Sequence, residues 1–346
     1  MKRIALGLLI ALALCTPASA DQQNGRFDIY WIDVEGGAST LMITPANESI
    51  LIDAGNPGPR DPQRIVQAVA KVPGLRRIDH LITTHYHRDH FGGASLLATL
   101  VPIGTVYDNG VFDGMPDDPG KDYFELKCDK RVVIKPGDKI PVKAPAAGHA
   151  VSLTCLGARQ TFVAPESDDP ENADVCATHR PKDRDGSDNA NSVVTLIEFG
   201  PFRFFDAGDL TWNQEMRLVC PKNLVGEVDV YQVTHHGLDS SNNPVVLQTV
   251  KPRVAIMNNG HTKGCLPEVF ANLKATASLE AIYQVHKNLR PDGSVNNVAD
   301  EFIANHKAAE ECAGNYIKLS VAPDAKSYTV SIPANGHERS YRTKGQ

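Results

Sequence analysis

After its first twenty residues the chain has no apolar run long enough to span a bilayer, which excludes a membrane-spanning helix there. It has no C-x-x-C pair among its seven cysteines, which argues against a cysteine-based zinc site. It has no excess of positive charge. Lys and Arg number 35 against 41 Asp and Glu, for a formal net charge of −6. Such a chain has no global attraction for nucleic acid, although a local basic groove stays open to it. Solenoid repeats are also lacking, so the 346 residues with 42% apolar content must form one large domain or two small ones.

The start is distinctive. Met1-Lys2-Arg3 is basic, Ile4 to Leu14 is almost wholly apolar, and Ala18-Ser19-Ala20 is a small-x-small cleavage site. This pattern reads as a secretory signal peptide over 1–20. An acylated signal at Cys15 is disfavoured by Leu14, where a small residue is expected. The mature chain, 21–346, is then expected to be exported, periplasmic or secreted. Its charge moves from −6 to −8 on loss of Lys2 and Arg3. Six cysteines remain (Cys128, Cys155, Cys176, Cys220, Cys265 and Cys312), enough for up to three disulfides in an oxidising compartment.

Strand-like segments recur: Phe27 to Val34, Ser39 to Thr44, Ser49 to Asp53 and Ile78 to Thr83. Asp61-Pro62 is expected to open a helix, with Asp61 as its N-cap. Another helix is expected from about Gly93 to Leu100. Later strands are read at Val132-Val133-Ile134, Val151 to Leu156, Asn191 to Phe199, Phe202 to Asp206, Val228 to Thr234, Arg253 to Asn258, Tyr316 to Val321 and Tyr328 to Ile332. Helices are read from Thr211 through Val219 and from Pro267 to Ala275. The alternation argues for an α/β domain of two sheets covered by helices. Residues 109–130 and 164–190 are polar, rich in Asp, Pro and Gly, and read as loop insertions over a site.

That site announces itself at Thr84-His85-Tyr86-His87-Arg88-Asp89-His90-Phe91-Gly92-Gly93. Four potential ligands, His85, His87, Asp89 and His90, fall within six residues. On an extended segment alternate side chains share a face, so His85, His87 and Asp89 can line one pocket. Imidazole and carboxylate are ligands for Zn, Fe or Mn. A His-rich surface loop is the plainer reading. It is weakened because three of only 12 histidines fall here with an Asp between them.

The motif resembles the H-x-H-x-D-H signature of the metallo-β-lactamase superfamily. The resemblance implies a four-layer αββα sandwich. It implies that His85 and His87 hold one metal and Asp89 and His90 a second. Asp209, after Gly208, would bridge both. One of His235 and His236 would complete the second site, with His236 chosen; register alone does not decide. Asp53 would support the ligand loop from behind. Asp89, His235 and His261 are the catalytic candidates, the two histidines as general acid or oxyanion stabiliser. The family's further histidine is missing: Ser187-Asp188-Asn189-Ala190-Asn191-Ser192 stands there. Asp188, Asn189 or a water could take its place.

Trp31-Ile32-Asp33-Val34-Glu35-Gly36-Gly37-Ala38, Asn191-Ser192-Val193-Val194 and His235-His236-Gly237 resemble the ComEC DNA-uptake branch and the phosphorylcholine esterases beside it. The expected activity is hydrolysis of a phosphodiester or related ester, in a small molecule or polymer. The expected cofactor is zinc, two ions, with Mn or Fe as alternatives; a water acidified by the metal would be the nucleophile. The rival readings are a β-lactamase-type amide hydrolase and a non-catalytic metal-binding protein. Net charge does not favour a nucleic-acid substrate.

Overall fold

A computed structural model describes residues 25–345. The signal-peptide reading over 1–20 lies outside them. Two sheets stack face to face. The first has nine strands, in the order His337–Arg342, Ser327–Ile332, Ile317–Val321, Phe27–Trp31, Thr40–Ile43, Ser49–Ile52, Ile78–Ile82, Ile103–Asp108 and Lys130–Val133. The second has eight, in the order Ile303–Asn305, Ala281–His286, Val254–Met257, Val230–Gln232, Phe202–Asp206, Val194–Phe199, Val151–Ala158 and Thr161–Phe162.

Central strands are apolar on both faces, as strands covered on both sides must be. Phe27, Ile29 and Trp31 point between the sheets and meet Phe199, Phe202 and Phe204. Tyr30, with Leu41 and Leu51, points outward under the helices Arg60–Ala70 and Ala94–Leu100. On the far side Tyr231, Ala255 and Met257 pack beneath Pro244–Val250 and Pro267–Ala275. The result is the four-layer αββα sandwich. Trp31 Nε1 donates to Gln232 Oε1 at 2.8 Å, a buried hydrogen bond from one sheet to the other.

Some local expectations change. The first helix spans Arg60–Ala70, so Asp61 sits inside it rather than capping it. Asp61 Oδ2 instead accepts from the Asn56 backbone N–H at 2.7 Å and holds the preceding loop. The helix read through Val219 ends at Met216. Of the three disulfides the cysteine count allowed, the described residues form one, Cys176–Cys220. Cys155 lies between the sheets and Cys265 under the outer helices, in separate cores. Among the described residues no helix is long and apolar enough to cross a membrane.

The segment 109–130 is not wholly a surface insertion. Tyr123 is buried and its ring lies 5.6 Å from that of Tyr86. Asp117, from the same stretch, reaches His87.

Candidate metal centre

The parallel strands Ser49–Ile52, Ile78–Ile82 and Ile103–Asp108 point their C-terminal ends to one edge of the first sheet. Phe202–Asp206, Val230–Gln232 and Val254–Met257 do the same in the second. Functional loops gather at such edges. Asp53, in a left-handed conformation with φ 60°, turns its carboxylate under the ligand loop. Its Oδ1 accepts from the Thr84 backbone N–H at 2.8 Å, and Oδ2 from Thr84 Oγ1 at 2.7 Å. Oδ2 also lies 2.6 Å from His90 Nδ1. His90 is thereby fixed with Nε2 facing the opposite sheet. Gly93 lets this loop lie against the strand end, since a Cβ there would come within 2.2 Å of the Ala54 carbonyl oxygen.

From the other sheet, Asp209 follows Gly208, whose φ of 55° and close packing on Thr84 leave little room for a side chain. The Asp209 backbone N–H donates to Ser192 Oγ at 3.1 Å. His235 and His236 are both left-handed, with φ 54° each. Two consecutive left-handed residues are costly and turn both imidazoles to the same centre. His236 Nδ1 lies 3.2 Å from the Asn258 carbonyl oxygen, which points Nε2 inward.

Four imidazoles face one carboxylate oxygen. Asp209 Oδ2 lies 3.1 Å from His90 Nε2, 3.3 Å from His236 Nε2, 3.5 Å from His235 Nε2 and 3.9 Å from His85 Nε2. Two potential ligand groups share it. Asp89, His90, Asp209 and His236 bring their ligand atoms within 4.8 Å of one another, and so do His85, His87 and Asp209. His85 Nε2 is buried without a hydrogen-bond partner. Nitrogen and carboxylate donors around that orphaned atom fit a borderline cation such as zinc, manganese or iron.

Charge is distributed accordingly. Burial opposes ionisation of Asp209, but His236, His90 and His235 hold its carboxyl well below the usual range. Burial likewise opposes a charge on His90, yet Asp209, Asp53 and Asp89 hold it above the ordinary imidazole value. His85 is held neutral, by burial first and then by the neighbouring His90. Burial lowers His235 to about 4.

Where the further histidine is missing, Asp188 is already engaged. Its Oδ2 accepts from the Tyr86 backbone N–H at 2.6 Å and its Oδ1 from Asn191 Nδ2 at 2.8 Å. Asn189 is the residue turned to the centre, with Nδ2 3.3 Å from His235 Nε2 and Oδ1 buried without a partner.

His261, expected beside His235, is placed in a different cluster. Its Nδ1 lies 3.4 Å from Glu35 Oε2 and its ring 5.7 Å from that of His286. The strand Val254–Met257 ends early enough for Asn258 to reach the centre and for His261 to pass beyond it. Sequence reasoning missed Lys263, whose ammonium bonds Asp89 Oδ2. It also missed Ser240, whose Oγ lies 2.9 Å from His235 Nδ1. Neither has a motif; each is brought in by a loop from the second sheet.

Residues 33–151 match the metallo-β-lactamase superfamily. Competence protein ComA of Neisseria gonorrhoeae is 24% identical over 256 residues, covering 73% of this chain and 30% of that protein. A UPF0173 metal-dependent hydrolase of Cupriavidus metallidurans is 34% identical over 84 residues, 23% of this chain and 26% of the relative. The chain thus spans less than a third of either relative's length. Among solved structures, Zn(2+)-bound PqqB from Methylobacterium extorquens aligns over 74% of this chain and 97% of that one, at 15% identity and a TM-score of 0.42.

Proposed function

We propose that this chain, whose residues 33–151 match the metallo-β-lactamase superfamily, is an exported metal-dependent hydrolase of a phosphodiester or related ester. The observation that carries the reading is the convergence of four imidazoles on one buried carboxylate oxygen of Asp209.

Asp89, His90, His236 and Asp209 would hold one cation. His85, His87 and Asp209 would hold the other, and the Asn189 carboxamide stands beside His235. Bound there, the cations supply Lewis acidity, which acidifies water and stabilises charge on the bond under attack. The rest is done by the protein. Asp53 and the Asn258 carbonyl fix His90 and His236 from behind. Ser240 and Ser241 steady His235 by its Nδ1, at 2.9 and 3.3 Å, so that Nε2 faces the centre. His235 is therefore assigned, as a neutral imidazole, to hydrogen-bond the charge that develops on the leaving oxygen. Lys263, 37% exposed beside Asp89, places a positive charge where an anionic substrate would enter.

The resemblance to DNA-uptake and phosphorylcholine esterase proteins supports a phosphoester over a lactam. The start of the chain and the Cys176–Cys220 disulfide support export. The test is hydrolysis of bis(p-nitrophenyl) phosphate by folded protein. Turnover that chelator abolishes and added metal restores is the expected result. No turnover with Zn, Mn or Fe, or nitrocefin cleavage in its place, would overturn the phosphoester reading.

A further inference from the structure

A second cluster of ligand-type side chains joins distant parts of the chain. Asp33 and Glu35 follow the strand Phe27–Trp31, His286 ends Ala281–His286 in the other sheet, and Cys312 lies in the C-terminal segment. Cys312 Sγ is 3.0 Å from Asp33 Oδ2. His286 Nε2 is 3.2 Å from Glu35 Oε2 and 3.8 Å from Asp33 Oδ2. One ligand atom from each of the four lies within 4.8 Å of the others.

Two features set this apart from an ordinary buried ion pair. The first is unmet hydrogen bonding. Glu35 Oε2 and both ring nitrogens of His286 are buried without a hydrogen-bond partner. The His286 side chain is 0% exposed and that of Glu35 is 3% exposed. Buried polar atoms left poorly matched are costly; His286 Nε2 and Glu35 Oε2 face each other at 3.2 Å without hydrogen-bond alignment, a geometry that a cation between them would satisfy. The second feature is charge. Two buried carboxylates share the Arg64 guanidinium, whose Nη1 is 3.0 Å from Asp33 Oδ2 and 3.2 Å from Glu35 Oε1, while the His286 and His261 imidazoles lie 3.2 and 3.4 Å from Glu35 Oε2. With neutral imidazoles, a divalent cation together with a Cys312 thiolate would bring the group to neutrality.

We propose that Asp33, Glu35, His286 and Cys312 form a second metal site, for a borderline divalent ion such as zinc. The donor set has the mixed N, O and S character zinc accepts. Zinc bonds of about 2.0–2.3 Å place tetrahedral ligands roughly 3.3–3.8 Å apart, close to the contacts observed. Burial, with Asp33 beside it, raises the Cys312 thiol's affinity for its proton, so a cation must displace that proton to bind. All four positions are filled by protein, which makes the site structural rather than catalytic. Its place explains what it would steady. Glu35 leads into Gly36 and Gly37. A Cβ on Gly37 would come within 2.4 Å of the Asp89 carbonyl oxygen, and the Ala38 backbone N–H donates to that oxygen at 3.1 Å. The cluster thus backs the loop that carries Asp89 and His90.

Cobalt separates the two centres, because only this one offers sulfur. The whole mature protein, stripped of metal, reduced and reloaded with Co²⁺, is expected to show a near-ultraviolet thiolate-to-cobalt charge-transfer band. Cys312→Ser should lose that band and about one metal equivalent, yet keep the visible cobalt bands of the other centre. Asp209→Asn should keep the thiolate band. Should Cys312→Ser not fold, the wild-type spectrum and His286→Gln, which should shift or lose the band, still decide. Absence of the band in cobalt-loaded wild type would overturn the proposal, as would its persistence in Cys312→Ser.

Discussion

Asp209 divides its centre into halves that are furnished unequally. On one side, His90 and His236 are each held from behind, by Asp53 and the Asn258 carbonyl, and Lys263 bonds Asp89 Oδ2, the oxygen 3.2 Å from His236 Nε2. On the other, His85 is buried but anchored only by Thr84 Oγ1, at 3.1 Å from Nδ1. His87 is 28% exposed and meets Asp117, itself 46% exposed, at 3.4 Å. A carboxamide, Asn189, lies in the stretch where the family's further imidazole is expected in the sequence, and it contacts His235. Anchored ligands lose less freedom when they bind, and imidazole donates to zinc better than an amide. The difference teaches that the halves should fill in order: the Asp89–His90–His236 side first, the His85–His87 side second and more weakly.

Asp209→Asn attacks what the halves share and should have the largest effect. Hydrolysis should fall by about 10³-fold, roughly 4 kcal/mol on the barrier, and bound metal should drop below one equivalent by elemental analysis. Near-normal activity would show that the centre does not depend on this carboxylate. Next come His236→Ala and His87→Ala, compared by metal titration. The first should abolish the tighter binding step; the second should spare it and remove only the weaker one. Equal losses from both would break the comparison. Asp53→Ala should weaken the tighter step by about 10- to 100-fold, the range for carboxylates that orient a ligand histidine.

The gathering of these side chains was legible because they follow strand ends at short spacings. His85, His87, Asp89 and His90 share one loop, and Asp209 and His236 follow apolar runs that read as strands. The choice of His236 over His235 was not legible from alternation, because both residues leave the strand in left-handed conformations that period-two reasoning does not describe. Asn189 and Lys263 carry no spacing signal; only the stacking of the sheets brings them in. Elsewhere, the helix Pro244–Val250 was overlooked although Asn243 caps it, its Oδ1 accepting from the Val245 backbone N–H, and a proline starts it. The strand Ala281–His286 was overlooked too, and with it His286. The cluster of Asp33, Glu35, His286 and Cys312 exists only through strand order, with Cys312 279 residues from Asp33.

The smallest effect is the sharpest test of the inequality. If Asn189 marks the weak half, Asn189→His should tighten the second binding step by about tenfold, roughly 1.4 kcal/mol, and leave the first unchanged. The space is already polar, since Oδ1 of Asn189 is buried without a partner and Nδ2 faces His235. Asn189→Ala is the control. It removes the contact to His235 without adding a donor, so the tighter step should again be unaffected. Isothermal titration of zinc into stripped protein reads both steps. A gain confined to the first step, or two equal steps in the wild type, would place the weakness somewhere other than Asn189. The His87–Asp117 pair would then be the next element to alter, because it is a contact of that half open to solvent.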